Sequence, residues 1–436
     1  MIPLPPGVRS LFLRLRSSDS YGPSKGPVLQ NEATFGEKVE LASVMQTLSS
    51  CRHGVGCREM NLVVLAARAF LSGGEDGCLQ VALAQPVDWA AVERMAEQHS
   101  MMPPFAYALT RYGGDLVPRE IRERLQQRLL LNSRTNLTWL QEWRRILLAF
   151  EAAGIPVISL KGPALASQAY RNIALREFCD LDLLIRPGEV RAAHDTLVRE
   201  GYELRFSQAP GADAASLLSR NRQLEFVNHE RGTLIDLHWG ALHEMFSFQL
   251  SVDRLFRAAQ VAECEGITFL SLSPEHLMLY LCAHGTKHCW LTLRDLCDGA
   301  SYMRTATREL NWELCIREAE AANCELVLKH SLLLAQRVFG LELPSVMRNY
   351  CEDAKAQMVA DAASSLLFRK DGGFGYREAL LYHLAFIKDW RGRASFICKR
   401  VFFPEEPDWQ ELRLPRSLYF LYYAVRPVRL LVELFS

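Results

Sequence analysis

Residues 175–186 read LREFCDLDLLIR, and residues 234–239 read LIDLHW. Both are short, β-prone runs with acidic residues set among apolar ones. On a strand, side chains alternate between faces. Leu181, Leu183 and Ile185 therefore share one face, and Asp180, Asp182 and Leu184 share the other. In the second run Ile235, Leu237 and Trp239 stand opposite Asp236 and His238. The apolar faces call for a core. The acidic faces call for water or a counter-charge, because an unpaired buried carboxylate is strongly destabilising. Asp180 and Asp182 would stand about 7 Å apart along such a strand. One D-x-D alone reads as a solvated edge. A second acidic strand makes it a candidate site.

The surroundings of these runs set the fold class. IPVISL (155–160) is a β-rich run, and KGPALASQAY (161–170) follows with a Gly turn and Pro163 at a first helical position. PGEVRAAHDTLVREG (187–201) reads as a helix with a Pro start and Gly201 as its stop. LEFVNHERGTLIDLHW (224–239) reads as strand, turn at Arg231–Gly232, strand. On either side the period is helical. Pro86 and Asp88 open one helix, Gly154 ends a long one, and Ser273, Pro274 and Glu275 open another. The expected class is α+β. It divides into a poorly ordered segment 1–58, a helical region 59–150, an α/β core 151–265 and a C-terminal helical domain 266–436.

Composition narrows the function classes. The chain has 436 residues, above the roughly 250–300 at which single cores split. Lys plus Arg equals Asp plus Glu at 50 each, so no basic excess exists to grip an extended nucleic acid. The cysteines show no disulfide framework and the N-terminus no signal-peptide pattern, which points to a reducing, cytoplasmic setting. The most apolar stretch, SLYFLYYAVRPVRLLVELF (417–435), is broken by Arg426, Pro427, Arg429 and Glu433, so no transmembrane span is expected. It could still lie on a membrane surface. Cys51, His53 and Cys57 do not have the spacing of a zinc site.

The acidic strands have company. Lys161 and Gly162 sit at the mouth of a helix, whose free N–H groups suit phosphate. Arg176 precedes the D-x-D run and adds positive charge. Asp180, Asp182 and Asp236 beside these cations would hold Mg2+, which takes carboxylate and phosphate oxygens. Two such ions suit in-line transfer at phosphorus. His284 and His288 lie four apart on one helical face, where packing, contact with nucleotide or acceptor, and zinc binding all fit; Lys287 beside them either reaches phosphate or is solvated. His238 is either in the site or behind it. Asp295 and Asp298 suit a helix junction, pairing Arg294 or Lys287, and His194 and Asp195 a solvated face.

Together LKGPALASQAYRN (160–172), LREFCDLDLLIRP (175–187), LIDLHWGAL (234–242) and SPEHLMLYLCAHGTKHCWLTLRDLCD (273–298) resemble the bacterial family called uncharacterised nucleotidyltransferases. That family has the DNA polymerase β type of fold. VDWAAVERMAEQHSMMPPFAYAL (87–109) resembles its leading helices. The resemblance implies a small mixed-sheet nucleotidyltransferase domain flanked by helical regions. It implies Asp180, Asp182 and Asp236 as metal ligands, Mg2+ as cofactor in the form of two ions, and a nucleoside triphosphate such as ATP as substrate. Lys161-Gly162-Pro163 replaces the superfamily's usual Gly-Ser and resembles the Lys-Gly variant of antitoxin-system relatives. The acceptor is open: a sugar, lipid-linked glycan, peptide, protein or RNA end. A nucleotide-binding scaffold on a degenerate transferase fold, or a kinase-like phosphotransferase, are the competing classes.

Overall fold

The computed structural model describes residues 58–75, 77–205, 222–242, 248–368, 375–404, 408, 412 and 414–435. The segment expected to be poorly ordered, with Cys51, His53 and Cys57, lies outside them apart from Arg58. The class is α+β. Five helices lead among the described residues: α1 (Arg58–Ser72), α2 (Cys78–Leu83), α3 (Trp89–Gln98), α4 (Met102–Tyr112) and the long α5 (Arg119–Ala152). Their ends follow local chemistry. The Asp88 carboxylate accepts from Ala91 N at 3.0 Å and caps α3. Gly154, at φ +69°, lets the chain leave α5 while Ile155 N bonds back to Phe150 O at 2.9 Å.

The sheet begins with β1 (Ile158–Ser159), followed by α6 (Pro163–Tyr170), β2 (Leu181–Leu184), α7 (Val190–Arg199), β3 (Glu203–Leu204), β4 (Gln223–Asn228) and β5 (Thr233–His238). After α8 (Val252–Ala258), the hairpin β6 (Gln260–Cys264) and β7 (Ile267–Ser271) completes it. Among the described residues these strands form one mixed sheet in the order β3-β4-β5-β2-β1-β7-β6. Two strands are shorter than the sequence pattern predicts. Pro156 has no N–H to give a ladder, and only Ile158 and Ser159 pair. Asp180 falls in a bend before β2, so it does not share the strand face with Asp182 as expected. Pro187 opens a 3-10 turn, Pro187–Glu189, and the α-helix starts only at Val190.

The strand carrying Asp182 is interior. β2 runs antiparallel to β1 and parallel to β5, and every residue from Leu181 to Leu184 is buried. This removes the solvated-edge reading. The apolar face packs as predicted: Leu181, Leu183, Ile185, Ile235 and Leu237 meet Trp143, Ile146 and Phe150 of α5 and Leu197 of α7. Each such side chain taken from water contributes roughly 1.5–3 kcal/mol. Trp143 Nε1 also donates to Ser159 Oγ at 2.9 Å, which fixes α5 against β1.

From Pro274 onward the described elements are helices. These are α9 (Pro274–Lys287), α10 (Leu293–Thr305), α11 (Trp312–Ala321), α12 (Glu325–Phe339), α13 (Ser345–Tyr350), α14 (Ala354–Leu367), α15 (Tyr376–Ala385), α16 (Trp390–Phe402) and α17 (Tyr422–Phe435). Ser273 caps α9, with Pro274 at its first position, as the sequence indicates. A second core joins α9–α16 to α1–α4. Within α17, Arg426 is buried and donates to Asp408 at 3.0 Å. Among the described residues no helix is long and apolar enough to cross a membrane, and every cysteine is a free thiol.

Candidate active site

The parallel pairing of β2 with β5 sets Asp182 directly beside Asp236. His238 lies two residues further along β5 and so on the same face. One ligand atom from each of Asp182, Asp236 and His238 falls within 4.8 Å of the others. His238 Nε2 stands 3.3 Å from Asp182 Oδ1. An ionised carboxylate only accepts, so the imidazole nitrogen donates. Across β4, Glu225 is paired in register with Asp236, which extends the acidic row, but its carboxylate receives Arg205 Nη1 at 2.9 Å. The register that places Glu225 could be counted from the hairpin loop; the sequence reading did not use it.

Asp180 stands outside the trio but close to it. Gly162 adopts φ +60° and ψ −132°, a backbone region suited to glycine. A Cβ there would lie 3.3 Å from the Asp180 carbonyl oxygen. The turn thus brings the mouth of α6 against the chain entering β2. Leu160 N donates to Asp182 O at 3.0 Å and holds the other side of the turn. Asp182, Asp180 and Asp236 all act on one further group, the buried hydroxyl of Tyr280. Burial first, and then those three charges, push its pKa well above the ordinary value, so it stays protonated.

Lys161 is 9% exposed, with its ammonium 5.9 Å from the Tyr280 ring centroid and in contact with His284 Nε2. Burial lowers its pKa; Asp182 and Asp295 oppose that without cancelling it. Asp182 shows the reverse balance. Burial favours its neutral form, but the Lys161 charge, the hydrogen bond from His238 and the Arg176 charge outweigh it and hold the carboxyl well below its usual range. Tyr280 and His284 on α9 and His288 at its C-terminal cap form an i, i+4, i+8 stripe, and the two imidazole centroids are 4.5 Å apart. Burial, then the charges of Lys161 and Lys287, depress His284 well below its normal value. His288 is exposed at the end of the helix; local dehydration and then the Lys287 charge depress it too. Lys287 occupies the last turn of the same helix.

The remaining predicted cation is spoken for. Arg176 Nε and Nη2 donate to the two oxygens of Asp298 at 2.8 and 2.9 Å, with side chains only 4% and 2% exposed. Tyr170 OH adds a third bond to Asp298 at 2.8 Å. Arg176 therefore reaches Asp182 through space, its fork being occupied. Asp298 does organise a helix junction, but with Arg176 rather than Arg294 or Lys287. Asp295 accepts from Thr292 Oγ1 at 3.0 Å, with Arg294 at 4.0 Å. His194 pairs with Asp195 at 3.0 Å on α7. Among the described residues His284 and His288 gain no third ligand of a zinc site.

Two carboxylates and an imidazole converging on a half-buried face have the donor set of a divalent-cation site. The residues present fit such an ion: oxygen donors from Asp182 and Asp236, with the His238 nitrogen alongside. No curated protein matches the chain significantly. The sequence pattern of one family matches residues 85–340, over half of the chain, and takes in every residue of this site. By that match the chain belongs to the family described as uncharacterised nucleotidyltransferases.

Proposed function

We propose that the chain is a metal-dependent nucleotidyltransferase, moving an NMP group from an NTP to an acceptor nucleophile. The new bond joins the acceptor oxygen or nitrogen to the α-phosphorus; the bond from that phosphorus to the bridging oxygen breaks, and pyrophosphate leaves. The observation that carries this reading is the in-register Asp182–Asp236 pair beside the Gly162 turn. Asp180, Asp182 and Asp236 are the residues proposed to hold Mg2+, as two ions. When bound, such ions polarise the phosphoryl oxygens and neutralise the leaving group.

The chain's own groups divide the remaining work. The Lys161 ammonium and the backbone at Gly162 hold phosphate, supported by the position of α6. Arg176 supplies long-range positive charge from behind. Asp236 accepts the acceptor's proton at a carboxylate oxygen. Tyr280, kept protonated, offers a hydroxyl donor toward the acidic face. Neutral His284 and His288, with Lys287, line the approach and contact the nucleotide.

The test uses purified chain, each of ATP, CTP, GTP and UTP, and an extract of candidate acceptors with Mg2+. The expected outcome is pyrophosphate release and an acceptor heavier by one NMP. Asp182→Asn and Asp236→Asn should each lower the rate by at least about 10²–10³-fold. Full activity in either variant sinks the assignment. An NDP product instead indicates a kinase-like reaction. Metal-independent nucleotide binding without turnover indicates a scaffold.

A further inference from the structure

We infer that His238 is a protein ligand of one of the two metal positions, and that this position takes Mn2+ in preference to Mg2+. The inference rests on the metal-dependent reading above and goes beyond it by naming a nitrogen ligand and the metal that ligand selects.

Three observations carry it. First, the compact trio is Asp182, Asp236 and His238, not the three aspartates that the sequence suggested. Second, His238 sits on a rigid element aimed at that point. It is paired with Leu184 on one side and Gln223 on the other, and its carbonyl accepts from Ile185 N at 2.8 Å. Its side chain is 12% exposed, so packing limits the ring's swing. Third, the trio is chemically mixed. Mg2+ demands a near-ideal octahedron at short distances, keeps its waters and favours oxygen. Mn2+ takes carboxylate oxygens as Mg2+ does, but as a softer first-row transition ion it gains more than Mg2+ from one added nitrogen donor. Two carboxylates and one imidazole leave further positions for phosphate oxygens.

The competing account is that His238 merely orients Asp182 by donating from Nε2 across their 3.3 Å contact; as a ligand the imidazole gives up that proton and that hydrogen bond on metal binding. The two accounts predict different behaviour of the metals. A positioning histidine affects Mn2+ and Mg2+ alike. A ligand affects Mn2+ selectively and leaves a nitrogen signature.

The experiment titrates the full chain with Mn2+ alone, without nucleotide, following the free-ion signal by electron paramagnetic resonance, with Mg2+ as competitor. Wild type should bind Mn2+ at least tenfold more tightly than Mg2+. His238→Asn should lose tenfold or more in Mn2+ affinity and under threefold in Mg2+ affinity. His238→Asp, which restores an oxygen donor, should bring the two metals toward parity. Pulsed measurements on the wild-type Mn2+ complex should show nitrogen hyperfine coupling, and His238→Asn should lack it. Absence of that coupling in wild type, or equal losses for both metals, overturns the inference. The wild-type spectrum decides even if the variants fail to fold. Nitrogen coupling without NTP turnover leaves His238 as ligand and removes the transferase reading; turnover with no coupling does the reverse.

Discussion

Asp298→Asn should destabilise the fold far more than an ordinary surface change. Asp298 and Arg176 are almost completely buried and joined by two charge-assisted bonds, and Tyr170 donates to the same carboxylate. Burial by itself would lower the Arg176 pKa. Asp298 more than offsets that and holds it above the ordinary value, so the guanidinium keeps its charge. An asparagine leaves that charge in the interior without its partner. Removing one member of such a pair costs about 3–5 kcal/mol, a large share of the roughly 5–15 kcal/mol typical of a folded domain. Urea unfolding followed in parallel by circular dichroism and tryptophan fluorescence measures the loss, and coincident curves license the free-energy value. Two controls isolate the cause. Raising salt from 0.05 to 1 M (chosen conditions, about 14 to 3 Å of screening length) should leave the loss unchanged within about 0.5 kcal/mol, since buried pairs are little screened. Replacing both partners, Arg176→Met with Asp298→Leu, should recover most of it. A loss below about 1 kcal/mol, or no recovery in the double variant, refutes the reasoning.

Other consequences can be checked with the same unfolding assays. Gly285→Ala would place a methyl 2.3–2.6 Å from three ring carbons of Trp290. The alanine that usually favours a helix should here cost about 1–3 kcal/mol and change the near-UV spectrum; a neutral result counts against the packing described. Gly162→Ala should cost on the order of 1–3 kcal/mol, because a side chain is strained at φ +60° and crowds the Asp180 carbonyl; an unchanged melt would contradict it. Burial pushes His330 down from 6.5 to about 3. Its folded-state pKa is depressed, so its contribution is intact above pH about 6.5 and is lost as pH falls toward about 3. The slope from this residue is at most about 1.4 kcal/mol per pH unit. His330→Leu should flatten the pH dependence by that amount, and an unaltered slope between pH 6 and 4 (chosen within about that window) would refute it.

The legible part of the molecule was the part set by neighbours in sequence. Caps such as Asp88 and Ser273, the stop at Gly154, and the apolar faces of β2 and β5 follow from spacing alone. The β6–β7 hairpin carried a signal that was passed over: β-prone runs around Glu265–Gly266, both at positive φ, a two-residue turn of the kind that suits hairpins. The departure of Asp180 from the strand was not legible, because the pairing that ends at Leu181 depends on β5, far along the chain. Arg176 illustrates the limit most clearly. It read as a free cation, and its partner is 122 residues away. Tyr280 was hidden for a related reason: it looks like one more core aromatic until α9 is laid over the acidic face.

The core shared by the first and last helices has a consequence for how the chain is made. Residues from Met60 to Leu125 are buried against residues from Leu277 onward, and Arg294 N bonds to His99 O at 3.3 Å. About 150 residues, including the whole sheet, lie between Leu125 and Leu277. At roughly 5–20 residues per second, the early helices wait on the order of 10–30 s for their partners to be synthesised. During that interval the apolar surface that α9 and the later helices cover stands open, while the intervening sheet is still being made. The sequence separation sets an order: the acidic strands are made before any helix that covers them, and His284 can meet Lys161 only once α9 has emerged.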